Sequence, residues 1–202
     1  MKKVRWLLLM LLLVILSGCQ NIYPYIDIAK DRGISDQYLA ALQKWTRSQI
    51  VYSQFETRVH ISATYKSPTF MKAYFAEYAR VHDLEPDRKQ QKEQLQDELA
   101  KDYAEFFVYV YIPEIEHNDL DKPASIWTVY ILDQNGQRIN PVEIRKFKKI
   151  SPDQQAFYPY LNPYYGISYS IKFPSLEDLS QKKLGHFKMY FVSVLGKVEL
   201  NW

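Results

Sequence analysis

Residues 55–65 alternate with period two: Phe55, Thr57, Val59, Ile61, Ala63 and Tyr65 are interleaved with Glu56, Arg58, His60, Ser62 and Thr64. Successive strand side chains point to opposite faces, so the run predicts a strand with one covered face and one wet face. Upstream, Tyr38, Leu39, Leu42 and Trp45 recur at helical spacing behind Ser35, an N-cap type, which predicts a helix over 35–48. Downstream, Ser67-Pro68 reads as the N-cap and first residue of a second helix, with Phe70, Met71, Tyr74, Phe75 and Tyr78 on its buried side. Glu85-Pro86 opens a third, mostly polar helix. Its apolar seam is only Leu95, Leu99 and Tyr103, and Lys89–Glu93 and Asp97–Lys101 are i,i+4 pairs. The second and third helices are expected to form a hairpin inserted between strands.

From residue 105 the period returns to two, with β-branched and aromatic residues. Strands are predicted over 106–112, 125–132, a return over 138–140 and then 142–147, 165–173, 187–195 and 197–202, with Asn135-Gly136 and Gly196 marking turns. The predicted fold is α+β: an antiparallel β-sandwich of Ig-like architecture with six to seven strands, N-terminal helices and an inserted helical hairpin. Residues 35–202 form one globular domain in this reading. The paired cysteines of true Ig domains are absent, so "Ig-like" refers to architecture alone.

The N-terminus follows a different pattern. Trp6 to Leu16 is an unbroken apolar run of 11 residues preceded by Lys2, Lys3 and Arg5. As a helix it would be about 16 Å long, against a bilayer core of ~30 Å, so it is too short to span and suits a signal segment. Leu16-Ser17-Gly18-Cys19 follows, and Cys19 is the only cysteine. This resembles the lipobox of bacterial lipoproteins. The resemblance implies a cleaved signal peptide over 1–18, a diacylglyceryl group on Cys19 and a lipidated tether over 19–34. Two acyl chains give stable anchoring. Gln20, where Asp would favour inner-membrane retention, implies an outer-membrane location facing the periplasm if the host is Gram-negative.

Cleavage changes the charge. The full chain has 26 Lys and Arg against 23 Asp and Glu, and three of the cations lie in residues 1–18. The mature chain is therefore neutral, and a nucleic-acid partner loses its support. With Cys19 acylated, no thiol remains for a disulfide, a Cys-based zinc site or a cysteine nucleophile.

No sequence motif points to catalysis. His60, His82, His117 and His186 include no i,i+4 pair, and there is no Gly-x-Ser-x-Gly elbow or phosphate-binding glycine loop. The expectation is a protein that is not an enzyme and takes no cofactor. Glu114, Glu116, Asp119 and Asp121 crowd one loop beside Asn118. Glu116, Asp119 and Asp121 are candidate Ca²⁺ ligands, or the loop is simply a solvated acidic turn. Arg145, Lys146, Lys148 and Lys149 surround Phe147 and either guard an edge strand or meet acidic groups.

Residues 157–165 (Phe-Tyr-Pro-Tyr-Leu-Asn-Pro-Tyr-Tyr) carry the main candidate site, with Tyr158, Tyr160, Tyr164 and Tyr165 as binding residues. Tyrosine presents a flat apolar face with a polar tip, suited to proteins and to sugar rings. The same segment can instead fold down as a lid. The expected function is a lipid-anchored envelope protein, held to the membrane through Cys19, that binds or scaffolds another envelope protein. The alternative is a glycan-binding module built on 157–165.

Overall fold

In the computed structural model, which describes residues 33–133, 136–175 and 187–202, two antiparallel sheets face each other and helices cover one of them. The chain runs α1 (Asp36–Trp45), β1 (Thr46–Ser53), β2 (Glu56–Tyr65), α2 (Pro68–His82), α3 (Pro86–Asp102) and β3 (Tyr103–Tyr111). After a 3-10 turn at Ile115–His117 come β4 (Thr128–Leu132), β5 (Arg138–Ile139), β6 (Glu143–Lys146), α4 (Pro152–Phe157), β7 (Gly166–Pro174), β8 (Lys188–Ser193) and β9 (Gly196–Asn201). The sheets have the orders β1-β2-β3-β7-β6 and β5-β4-β8-β9. The fold is thus α+β with a sandwich, and the α2–α3 hairpin lies between β2 and β3 as expected.

Local sequence explains the helix starts. Ser35, Ser67 and Ser151 each accept a bond from a backbone N–H in the first turn, and proline follows Ser67 and Ser151 where a missing N–H costs nothing. Gln154 completes a capping box with Ser151. The first helix stops at Trp45, short of the expected 48. β-Branched Thr46 is extended, and its hydroxyl bonds across to that of Thr64 at 2.7 Å. The edge strand β1 that follows has no counterpart among the predicted strands, and the predicted return over 138–147 forms two strands, β5 and β6, in different sheets, which brings the count to nine among the described residues. Ile34, expected at the end of the tether, is buried with the helices.

The inner faces form the main core, with Val59, Ile61, Phe106, Val108, Ile131, Tyr169, Ile171 and Phe191 fully buried. The expected wet face of β2 is a second buried surface. Ser62 and Thr64 are covered because α1, α2, α4 and residues 157–161 pack a second cluster on that side, around Phe70, Phe107 and Tyr158. Phe55, expected on the covered face, lies in the β1–β2 turn and is fully exposed. After β5, Pro141 cannot donate to a ladder, and the chain leaves the four-stranded sheet to place β6 at the edge of the other. Gln134 and Asn135 of the expected turn lie outside the described residues.

Strand registers define two ends. At the upper end stand the β1–β2 turn, the end of β3 (Tyr111 opposite His60) and the start of β7 (Gly166 opposite Tyr111). Glu199 N–H donates to Gln49 Oε1 (2.7 Å) and Arg47 Nε donates to Asn201 O (2.6 Å), which aligns β9 beside β1. The β8–β9 turn and the start of β4 therefore also lie at the upper end. The lower end carries Trp45 and the C-terminal Trp202.

Candidate functional site

The tyrosine-proline segment has two parts. Residues 157–162 strap the helix-side face of the five-stranded sheet. Phe157 and Tyr158 are buried, and the Tyr158 ring stacks on Phe107 at 4.2 Å. Tyr38 donates to Phe157 O (2.8 Å), the hydroxyls of Tyr160 and Thr64 are 2.7 Å apart, and Tyr109 donates to Asn162 O (3.2 Å). Burial pushes the phenols of Tyr38 and Tyr158 well above their ordinary value. The segment can lie flat because Gly166, where it enters β7, has no side chain: a Cβ there would collide with the Tyr109 ring. Tyr158 and Tyr160 thus belong to the lid. Tyr164 (87% exposed) and Tyr165 (64%) project from the upper end.

They are not alone there. Phe55 in the β1–β2 turn is 103% exposed and Val194 in the β8–β9 turn is 92% exposed. Ile50 and Tyr52 on β1, Ile115 in the 3-10 turn and Ile126 before β4 are exposed at the same end. These eight are the majority of the 13 large exposed hydrophobic residues among the described residues. Scattered single apolar residues are ordinary on a surface, whereas a concentration marks a contact surface. The loop over 112–127 seals the core beneath them. Asn118, buried, donates to Val110 O (2.8 Å) and receives Tyr169 Oη on both its oxygens (2.7 and 3.0 Å), while Trp127 Nε1 donates to His117 O (2.8 Å).

The acidic loop belongs to this end, but it gathers no ion site. Asp119 accepts the Ser125 hydroxyl (2.8 Å), Glu114 lies 4.0 Å from Arg58, and Glu116 and Asp121 point to solvent. Among the described residues no three His, Cys, Asp or Glu side chains are placed to hold a metal. The Ca²⁺ reading of Glu116, Asp119 and Asp121 is therefore not supported by their placement. Of the basic run, Arg145 and Lys146 lie on β6, an edge strand, which fits charge that discourages strand pairing.

Two polar features escaped the sequence reading. On the helix-side face His60 Nε2 lies 2.8 Å from Ser48 Oγ and 3.3 Å from Ser62 Oγ, and the two hydroxyls are 2.9 Å apart. Burial lowers the imidazole pKa, so the ring is neutral at pH 7. A hydroxyl beside a neutral imidazole has the contact of a nucleophile and base. Here, however, Ser48 and Ser62 are paired in the ladder, the ring packs edge-on against Tyr109, and the bonds serve strand register. The second feature is a cleft of about 410 Å³ between α2, α3 and α4, with Tyr74, Phe75 and Tyr78 among its walls and Lys92, Ser151, Asp153 and Gln154 on its polar side. His82 Nε2 is 3.5 Å from Asp153, and burial with nearby Tyr78 and Asp153 raises Tyr74 to about 12.

The point where the chain enters the domain is fixed. Buried Glu77 accepts Ser35 N–H (2.8 Å), Ser35 Oγ (2.7 Å) and Arg80 (2.6 Å), and Arg80 also donates to Gly33 O. Burial alone would raise the Glu77 pKa, but these bonds outweigh it and hold the carboxyl below its ordinary value. Cys19 and the rest of 1–32 lie outside the described residues. No described helix is long and apolar enough to cross a membrane. No family model matches the chain, and neither does any curated protein or solved structure.

Proposed function

We propose that this protein is a lipid-anchored component of a bacterial cell envelope, held through Cys19, that works without catalysis by binding or scaffolding another envelope protein. The observation that supports the binding role is the concentration of exposed apolar side chains at one end of a domain whose other apolar surfaces are largely covered. The Leu16-Ser17-Gly18-Cys19 motif supports the anchor, and in a Gram-negative host Gln20 favours the periplasmic face of the outer membrane. Anchoring raises local concentration, so even a weak contact is used efficiently.

Crosslinking in native membranes followed by purification is expected to recover one specific envelope protein. Recovery of none, together with retention on a glycan array, overturns the reading. Cys19→Ser is expected to move the protein out of the membrane fraction or to leave it unprocessed. Unchanged maturation and pelleting would rule out lipidation there.

The cleft of Tyr74, Phe75 and Tyr78 favours a second reading, glycan binding. Aromatic walls beside a polar rim of Lys92, Asp153 and Gln154 suit a pyranose ring. In this reading the sugar site lies beside α4 and not on 157–165, whose first two tyrosines are committed to the lid.

A further inference from the structure

We infer that the cleft between α2, α3 and α4 binds a neutral N-acetylated amino sugar, with Lys92, Asp153 and Gln154 reading its acetamido group. The inference rests on the glycan reading of this cleft and names the class of sugar.

Shape is the first argument. Tyr74 and Tyr78, one turn apart on α2, lie nearly parallel (19°, ring centroids 6.1 Å apart), and Phe75 stands across Tyr74 at 82°. The wall therefore has a flat stretch, suited to the C–H face of a pyranose, and an apolar corner that suits a methyl group. The volume of about 410 Å³ falls within the range of small-ligand sites. Lys92 Nζ lies over the Tyr78 ring at 5.4 Å. An exposed contact of that kind is weak, so a sugar ring can take its place, and the freed ammonium can turn to an acceptor on the sugar.

Hydrogen-bonding capacity is the second argument. Gln154 Oε1 already accepts Ser151 N–H (2.9 Å), and Ser151 Oγ already accepts Gln154 N–H (3.1 Å). What the capping box leaves over are donors, the Gln154 amide nitrogen and the Ser151 hydroxyl. Lys92 donates only, and the Tyr74 hydroxyl, which bonds to none of the described residues, keeps its proton. Asp153 is the one wall residue that only accepts, and its own neighbour is His82 (3.5 Å). A surplus of donors calls for a pure acceptor on the ligand, and an amide carbonyl is one. Asp153 then takes the amide N–H. Charge disfavours the ionised alternatives. Lys92 and Asp153 offset each other in the wall, Lys89 and Glu93 pair with each other (3.7 Å), and on the flanking turns Arg88, Lys148 and Lys149 stand with Asp83 and Glu85. A carboxylate on the sugar would meet Asp153, and a free amine would meet Lys92.

The mature lipoprotein, extracted in a detergent that carries no sugar, tests this by saturation-transfer NMR and titration with N-acetylglucosamine, glucose, glucosamine and glucuronate. N-acetylglucosamine is expected to bind about tenfold more tightly than each of the other three, with the strongest transfer at its acetyl methyl. Asp153→Ala and Lys92→Ala are each expected to reduce that preference to about twofold or less while glucose binding changes little. Lys92 is exposed, so its variant is expected to keep the parent denaturation midpoint and to remain readable if Asp153→Ala disturbs α4. Equal affinities for all four sugars, or tightest binding of glucuronate or glucosamine, would overturn the inference and leave the glycan reading standing. A preference for N-acetylglucosamine that survives both substitutions would overturn the inference, because the sugar would then sit elsewhere. Absence of binding by all four sugars would overturn the inference and the glycan reading together.

Discussion

The two ends of the sandwich use aromatic residues in opposite ways. At the lower end Trp45, Tyr65, Phe106, Phe187 and Trp202 interlock: Tyr65 stacks on Phe106 (4.8 Å), Phe187 on Trp202 (5.4 Å), and Phe106 meets Trp202 edge-on (5.3 Å). Trp202 Nε1 donates to Trp45 O (2.9 Å), so the last residue of the chain ties down the end of the first helix. At the upper end the core is closed mainly by Asn118, Leu120 and Trp127, and Phe55, Tyr164 and Tyr165 are left facing water. One end is therefore built for stability, and the other has its large apolar groups available for contact.

The sharpest way to break this comparison is to remove the lower plug. Trp202→Ala deletes several ring contacts and a partly buried hydrogen bond and is expected to cost about 3 kcal/mol. Urea denaturation should show a lower midpoint with an unchanged slope. At the upper end the corresponding test is Asn118→Ala, which removes the side-chain bonds to Val110 O and to the Tyr169 hydroxyl and leaves Tyr169 only its bond to the main-chain oxygen of residue 118. It is expected to cost about 2 kcal/mol. A loss below half a kcal/mol would show that the polar bonds under the exposed apolar side chains do not hold that end closed.

Elements with local signals are legible in the sequence, and surfaces made by distant segments are not. The α2–α3 hairpin announces itself through Ser67-Pro68 and Glu85-Pro86, and the β8–β9 hairpin through alternation about Gly196. These are local signals. β1 was missed because it is an edge strand with residues such as Arg47, Ser48 and Gln49, which show no apolar alternation. The buried second face of β2 was missed because Ser62 and Thr64 are small polar residues. They become core only when Ser48, Tyr160 and the strap reach them from distant sequence. Tyr158 and Tyr164 each follow or precede aromatics and prolines in one short run, yet one is buried and the other is 87% exposed. That difference is set by where the strap crosses Phe107 and where it leaves the sheet at Gly166, which no local pattern encodes.

Acid sharpens the comparison through charges that lie away from the exposed apolar side chains of the upper end. Burial pushes the Glu105 pKa up, but Lys66 (2.6 Å), the Ser170 hydroxyl (2.6 Å) and Lys172 outweigh it, so the folded value is lowered, as for Glu77. A carboxylate with a lowered folded pKa stabilises the fold above its unfolded value, about 4.3, and that contribution is lost as pH falls through the folded value. His60 is also lowered, so the unfolded chain takes up its proton first, and a further loss begins below about 6.5. Stability is expected to be level from pH 8 to 7, to fall slightly toward pH 5 and to drop steeply below pH 4. Glu105→Gln should flatten the steep part, and His60→Asn the shallow part. Midpoints of denaturation across this range read both.

The smallest effect on stability is expected at the exposed turns of the upper end. Phe55→Ser and Val194→Ser remove large apolar side chains that touch almost nothing within the fold, since both are more than nine-tenths exposed. Surface substitutions away from caps, glycines and buried bonds change stability by no more than about 0.5 kcal/mol. A denaturation midpoint within error of the parent chain is therefore expected for each, alongside loss of partner crosslinking. A loss near that of Trp202→Ala would mean that Phe55 is packed in solution, and the contrast between a plugged end and an open end would fail. Unchanged stability with unchanged crosslinking would keep the contrast and remove its functional meaning. The pairing of a large binding loss with no stability loss separates a contact surface from an unburied remnant of the core.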